Sequence, residues 1–118
     1  MNLIKYGNFR SAAGLDLTWK IECDALSDDD FGNIAKIAAP VLHPFSAVSG
    51  VPDGGGRLAC AFGDFLTETG PLLVVDDVWT TGKSMRDLAG TILGWKGFVI
   101  FARGETPPNI TSFFRTQF

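Results

Sequence analysis

Two short, continuously apolar runs constrain the fold of this chain more than any other feature. They are residues 72–75 and 98–102, and apolar residues recur at helical spacing between them, over residues 85–93. A strand that is apolar on both faces is typical of a parallel sheet covered by helices on both sides. Strand, crossover helix and parallel strand normally form a right-handed unit. The sequence therefore predicts an α/β fold with a mainly parallel sheet flanked by helices.

The first half of the chain predicts further elements of this kind. Residues 45–49 are a short apolar run that enters a glycine-rich turn, and residues 58–66 then show helical spacing. Ser27 precedes three aspartates, which predicts a capped helix from about residue 28 to 39 that ends at Pro40. Apolar and polar residues alternate over residues 15–22, as in a half-buried strand. For the aromatic tail, residues 109–118, we expect a short docking helix.

Size and charge exclude several classes of protein. A chain of 118 residues suits one domain, which we take as residues 1–118. The net charge is -3 and the ten basic residues are scattered, so we expect no nucleic acid partner. The apolar runs are too short to span a bilayer, which needs about 20 residues, so we expect no membrane partner. Two cysteines and no apolar signal-like N-terminus make a cytoplasmic protein the expectation.

The segment that follows the first of these apolar runs carries the most chemistry. Asp76 and Asp77 end the predicted strand, and the hydroxyl and glycine residues of residues 80–84 then open a helix. Hydroxyls and approachable N–H groups there bind a phosphate monoester well, so we name residues 80–84 the phosphate loop. Carboxylates beside it are useful only if the ligand also offers hydroxyls or a metal ion. A sugar phosphate offers both a phosphate for the loop and hydroxyls for the carboxylates.

Two other interpretations of this segment remain open. Gly82, Lys83 and Ser84 match the end of a nucleotide P-loop, but that motif needs a glycine where Asp77 stands. The alternative without function is an acidic strand end followed by an ordinary capped helix. It must treat both acids and the whole hydroxyl and glycine run as coincidence.

Residues 74–84 resemble the motif of type I phosphoribosyltransferases that binds 5-phosphoribosyl-1-pyrophosphate (PRPP). The resemblance implies that Asp76 and Asp77 act in catalysis, holding the ribose hydroxyls and, through water and PRPP, a Mg²⁺ cofactor. It implies that PRPP contacts Asp76, Asp77, Val78, Thr80, Thr81, Gly82, Lys83 and Ser84.

An upstream glycine-rich turn is similar to the pyrophosphate loop of the same family. Its residues are Val51, Pro52, Asp53, Gly54 and Gly55, and we name them the glycine loop. The loop precedes the acidic segment by one crossover, so both should meet at the same edge of a parallel sheet, where ligands of such folds bind.

The orotate branch of the family offers two further matches. Residues 7–14 resemble its opening, which forms a hood over the base, although Ala12 stands where that branch has lysine. We therefore expect a small hood in residues 1–26 and the core in residues 27–118. Arg103 directly follows the predicted last strand and matches the arginine that recognises the base. A solvated arginine at a strand end is the equal alternative.

One departure from the family affects turnover. Only residues 67–70 link the predicted helix to the acidic strand, where the family inserts a strand and a mobile catalytic loop. Loss of such a loop removes transition-state stabilisation worth several kcal/mol. Arg57, Lys83 or a partner subunit could replace its charge, or both residues are merely solvated.

The resemblance implies a transferase that moves the phosphoribosyl group of PRPP to a nitrogenous, pyrimidine and orotate-like base and releases pyrophosphate. It also implies a homodimer. The alternatives are a PRPP or nucleotide sensor without catalysis, and a structural module that keeps only the fold.

Overall fold

Four parallel strands form the central sheet in the computed structural model, which describes residues 3–10 and 16–116. They are β3 (Ala47–Gly50), β4 (Leu72–Trp79), β5 (Lys96–Arg103) and β6 (Ile110–Thr116), in that spatial order. Val75 of β4, for example, pairs with Gly50 on one side and Phe98 on the other. The predicted α/β fold with a parallel sheet flanked by helices is confirmed.

Three helices cover the two faces of the sheet. They are α1 (Asp28–Leu42), α2 (Gly56–Phe62) and α3 (Lys83–Ala89), and short 3₁₀ turns lie at Cys23–Ala25 and Gly63–Phe65. None of the described helices is long and apolar enough to cross a membrane. The helices α1 and α2 pack on the face that carries Leu73, Val75 and Phe98, whereas α3 packs on the face that carries Val74 and Val99.

The positions of α2 and α3 give the two crossovers opposite hands. Both connections, β3 to β4 and β4 to β5, step in the same direction along the sheet. Helices that follow such steps lie on one face if both crossovers have the same hand, yet α2 and α3 lie on opposite faces. One crossover therefore departs from the right-handed rule that the sequence analysis assumed.

An antiparallel hairpin precedes this core. Its strands are β1 (Ile4–Arg10) and β2 (Asp16–Ile21), with Tyr6 opposite Trp19. Arg103, at the end of β5, joins the hairpin to the sheet: its Nη1 donates to the Trp19 carbonyl oxygen at 2.5 Å. The Arg103 guanidinium also lies 3.6 Å from the centre of the Trp19 ring. The hairpin is thereby held at the carboxyl ends of the strands.

Two expectations about individual elements were wrong. The helix α1 does not end at Pro40 but continues to Leu42, because Ala39 and Leu42 are buried and their packing outweighs the missing proline N–H. Residues 110–116 form the strand β6 rather than a docking helix. Pairing with β5 and burial of Ile110 stabilise the extended form, and Phe113 packs edge-on against Phe98.

Candidate functional site

A cleft of about 380 Å³ opens between the hairpin and the carboxyl ends of β4 and β5. All the site residues expected from the sequence line it except Gly55, which lies behind Val51 and donates its N–H to the Val51 carbonyl at 2.6 Å. The lining consists of Phe9, Lys20, Ile21, Val51, Pro52, Asp53, Gly54, Asp76, Asp77, Val78, Trp79, Thr80, Thr81, Gly82, Lys83, Ser84, Met85 and Arg103.

Two acids lie at the centre of the cleft, inside β4. Asp76 is only 8% exposed, and its Oδ1 accepts the Asp77 N–H at 2.8 Å. Burial, together with the hydrogen bond and charge of the Asp77 side chain, raises the pKa of Asp76 to about 8. At neutral pH its carboxyl is therefore largely protonated and can donate as well as accept a hydrogen bond. Asp77 Oδ1 accepts the Val78 N–H at 2.8 Å, which fixes the second carboxylate.

The glycine loop touches the acid pair directly. A Cβ on Gly54 would overlap the Asp77 carboxylate, and one on Gly55 would overlap the backbone of Val51 and Val75. The Val51 N–H donates to the Val75 carbonyl at 2.9 Å, which ties the loop to β4. Only glycine allows this approach, and the result is that both loops border one cleft.

The phosphate loop turns sharply at Gly82, whose φ is +79°. A Cβ there would overlap the ring of Trp79, which is 5% exposed and fills the space beneath the loop. The Thr81 Oγ1 accepts the Lys83 N–H at 3.4 Å. Lys83 itself pairs with Asp87 at 2.7 Å on the solvent side of α3. The loop is thus a shaped turn of hydroxyls and N–H groups rather than a cluster of cations.

Five lining residues are not among the site residues predicted from the sequence. Phe9, Lys20 and Ile21 come from the hairpin, Trp79 from β4 and Met85 from α3. Lys20 Nζ lies 4.7 Å from the centre of the Phe9 ring and 3.4 Å from Glu22 Oε2. Phe9 lies in the predicted hood, but nothing local in the sequence marks Lys20, Ile21 or Met85. Docking of the hairpin brings the first two to the cleft, and packing of α3 against the sheet brings the third.

The cations expected as substitutes for a catalytic loop are placed differently. Arg57 does not line the cleft; it pairs with Asp28 at 2.7 Å and lies over the Phe31 ring. Lys83 lines the cleft but is engaged by Asp87. Ala12, which stands at the lysine position of the orotate branch, is outside the described residues.

The connection at which the sequence resemblance implies a missing catalytic loop is short and hydrogen-bonded to its neighbours. Residues 66–71 join the end of the second 3₁₀ turn to β4, at the amino ends of the strands. The Thr67 N–H donates to the Phe45 carbonyl at 2.8 Å, and the Ser46 N–H donates to the Pro71 carbonyl at 3.2 Å. This connection therefore lies at the amino ends of the strands, whereas the cleft lies at their carboxyl ends.

The carboxylate oxygens in the cleft suit a metal ion that keeps its water shell better than one that the side chains bind directly. Within residues 3–10 and 16–116, no group of three or more His, Cys, Asp or Glu side chains has the geometry to hold a metal ion. The carboxylates of Asp53, Asp76 and Asp77 nevertheless line one cavity. Such a set fits Mg²⁺ held through its waters and through a phosphorylated ligand, since this ion usually keeps several waters.

No family of known proteins and no curated protein matches the sequence. Solved structures do match the fold. The orotate phosphoribosyltransferase of Aeropyrum pernix is 21% identical with a TM-score of 0.69, over 96% of this chain and 88% of that one. The enzyme of the same name from Mycobacterium tuberculosis is 14% identical with a TM-score of 0.63, over 95% and 89%. Leishmania donovani UMP synthase is 15% identical with a TM-score of 0.66, over 96% of this chain and 33% of that one. This chain therefore has the fold of the orotate phosphoribosyltransferases.

Proposed function

We propose that this chain binds PRPP in the cleft and transfers its phosphoribosyl group to a nitrogenous base, with release of pyrophosphate. The observation that carries the proposal is the contact between Gly54 and Asp77, which sets the glycine loop against the acid pair beside the phosphate loop. A ligand with a phosphate at one end, a ribose in the middle and a pyrophosphate at the other has one partner for each part. The shared fold supports the same assignment.

Each loop has a role in this proposal. Asp76 and Asp77 hold the ribose hydroxyls and the water shell of Mg²⁺, and the phosphate loop with Val78 holds the 5-phosphate. The glycine loop, residues 51–55, holds the pyrophosphate through the N–H groups of Asp53 and Gly54, because those of Val51 and Gly55 bond to carbonyl groups of the protein. Arg103 recognises the base, which we propose is orotate-like, because a planar guanidinium matches carbonyl and carboxylate groups. Arg103 stacks on Trp19 and spends one donor there, which leaves further N–H groups for a ligand in the cleft that it lines.

The reaction follows from these positions. A deprotonated ring nitrogen of the base attacks C1 of the ribose while the bond from C1 to the pyrophosphate oxygen breaks, and the sugar carries positive charge in between. The ionised carboxylate of the acid pair stabilises that charge, and Mg²⁺ would neutralise the departing pyrophosphate. The protonated Asp76 carboxyl can donate to a ribose hydroxyl, whereas the ionised form can accept from one. Positioning and charge therefore supply most of the catalysis.

Calorimetry with PRPP, with and without Mg²⁺, tests the binding step. We expect micromolar, Mg²⁺-dependent binding that the Asp76→Asn/Asp77→Asn double variant loses. Asp64→Asn serves as the control, because Asp64 is exposed on the 3₁₀ turn Gly63–Phe65, away from the cleft. Equal binding by the double variant would exclude the acid pair as the site. Release of pyrophosphate in the presence of orotate then tests the transfer step.

A PRPP or nucleotide sensor without catalysis is the second candidate function. The short connection over residues 66–71 favours a sensor, because it lies at the amino ends of the strands, away from the cleft, and brings no catalytic loop to it. Saturable PRPP binding with no pyrophosphate release from any base would support the sensor.

We further propose that residues 1–118 act as one domain in a cytoplasmic homodimer, with residues 1–26 as the hood. Exposed apolar side chains on the hairpin and on α1 support self-association, namely Ile4, Tyr6, Ile37 and Val41. A dimeric mass by light scattering is the expected result, and a monomeric mass at micromolar concentration would contradict it.

A further inference from the structure

Arg86 holds two consecutive carbonyl groups of the phosphate loop. Its guanidinium Nη2 donates to the Thr81 carbonyl at 2.6 Å, and its backbone N–H donates to the Gly82 carbonyl at 3.0 Å. In a planar trans peptide the N–H points opposite to the carbonyl that precedes it. These two bonds therefore fix the directions of the Gly82 and Lys83 N–H groups, in the part of the loop that lines the cleft.

Trp79 supports the same turn from below. Its ring fills the space against Gly82, and the Arg86 guanidinium lies 5.8 Å from the ring centre, within reach of a weak cation–π attraction. Trp79 and Arg86 thus hold the turn at Gly82 from two directions, through contacts made within the protein itself. A loop that is already ordered loses less entropy when it binds an anion.

We infer that Arg86 is a positioning residue, which holds the phosphate loop in the shape that receives a sugar phosphate but does not contact the ligand. The inference rests on the proposed function of the cleft. Arg86 lies just beyond the lining, which includes Lys83, Ser84 and Met85 of the same helix, so its effect passes through the loop. Its planar fork matters more than its charge, because the bond to Thr81 depends on its geometry.

Titration of ribose 5-phosphate by calorimetry separates geometry from charge. We expect Arg86→Gln and Arg86→Lys to weaken binding by about tenfold or more, the usual effect of losing a charge-assisted hydrogen bond. Arg115→Gln removes one positive charge from an exposed site on β6 and should change the affinity by less than about threefold. Binding by Arg86→Lys at the wild-type affinity would overturn the inference, since charge alone would then suffice.

Backbone ¹⁵N relaxation of the ligand-free protein tests the same inference independently of binding. In both Arg86 variants the heteronuclear NOE of Gly82 should fall, because the side-chain bond to the Thr81 carbonyl is lost, while the amides of β4 keep their wild-type values and report an intact fold. An unchanged value at Gly82 would overturn the positioning role. If the wild-type protein fails to bind millimolar ribose 5-phosphate, the proposed function of the cleft fails, and the relaxation data alone decide the role of Arg86.

Discussion

Asp76 is a carboxyl group held where ionisation is costly. Its pKa is 3.8 in the unfolded chain and about 8 in the folded one, chiefly because it is buried beside Asp77. The unfolded chain therefore releases this proton first as the pH rises. The stability that the neutral carboxyl contributes is complete below pH 4, falls as the pH rises, and is lost once the pH passes the folded pKa near 8. Ionisation of Asp76 therefore lowers the stability of the folded protein at alkaline pH.

Replacing Asp76 by asparagine should remove this pH dependence. The asparagine side chain cannot ionise, and it keeps an oxygen that can accept the Asp77 N–H. We expect the stability of Asp76→Asn relative to wild type to rise by roughly 2–4 kcal/mol between pH 5 and pH 9, because about three pH units of that range lie below the folded pKa of Asp76. Urea unfolding at both pH values measures it, with Asp64→Asn as the control. The same advantage at pH 5 and pH 9 would show that Asp76 does not have a raised pKa.

We expect opposite outcomes when alanine replaces Gly54 and when it replaces Gly56, two residues further along the chain. A Cβ on Gly54 would overlap the Asp77 carboxylate, so Gly54→Ala should lower stability by roughly 1–3 kcal/mol and abolish measurable PRPP binding. A Cβ on Gly56 meets nothing within 4 Å, and the residue begins α2. Gly56→Ala should therefore be neutral or stabilising by up to about 1 kcal/mol, with binding retained. Thermal melts and calorimetry compare the two, and equal behaviour would disprove the contact between the loops.

At the scale of the elements, the sequence predicted those whose pattern is local and missed what depends on packing. The alternation of apolar runs and helical spacing predicted the order of β3 to β5 and their helices, and the Ser27 cap of α1 is a full capping box with Asp30. Pro40 inside α1 and the strand β6 both follow from burial against other elements. The opposite hands of the two crossovers were beyond prediction, because the faces covered by α2 and α3 are set only in the assembled core.

The hairpin depends on Arg103 for its position over the cleft. Arg103→Gln removes the charged donor that bonds to the Trp19 carbonyl and the guanidinium that lies over the Trp19 ring. Together these contacts stabilise the docked hairpin by roughly 1–3 kcal/mol. We expect faster hydrogen exchange in β1 and β2 of the ligand-free variant, with the exchange of β4 and β5 unchanged. Arg115→Gln should leave the hairpin as it is in wild type. A hairpin equally protected in Arg103→Gln would mean that other contacts hold it.

At the scale of the whole molecule, the cleft offers carboxylates and few uncommitted cations to the proposed substrate PRPP, which is itself highly anionic. Asp53, Asp76 and Asp77 line it. Of the cations that line it, Lys20 and Lys83 pair with Glu22 and Asp87, and Arg103 lies against Trp19. The whole chain carries a net charge of -3. The connection at residues 66–71 lies at the opposite sheet edge, so it delivers no basic loop to the site. The charge that balances a pyrophosphate must therefore come largely from outside the described part of the chain.

We expect Mg²⁺ to supply this charge. Binding of the pyrophosphate end of PRPP should depend on Mg²⁺ much more strongly than binding of its 5-phosphate end. In the proposed binding mode the 5-phosphate meets loop N–H groups and hydroxyls that act without metal, whereas the pyrophosphate lies against the glycine loop, where Asp53 lines the cleft. We expect chelation of Mg²⁺ to weaken PRPP binding by about a hundredfold, equivalent to about 2.7 kcal/mol, and ribose 5-phosphate binding by less than about threefold. Calorimetry with both ligands in EDTA and in millimolar Mg²⁺ measures the ratio. Equal sensitivity of the two ligands would mean that the pyrophosphate does not lie against the glycine loop.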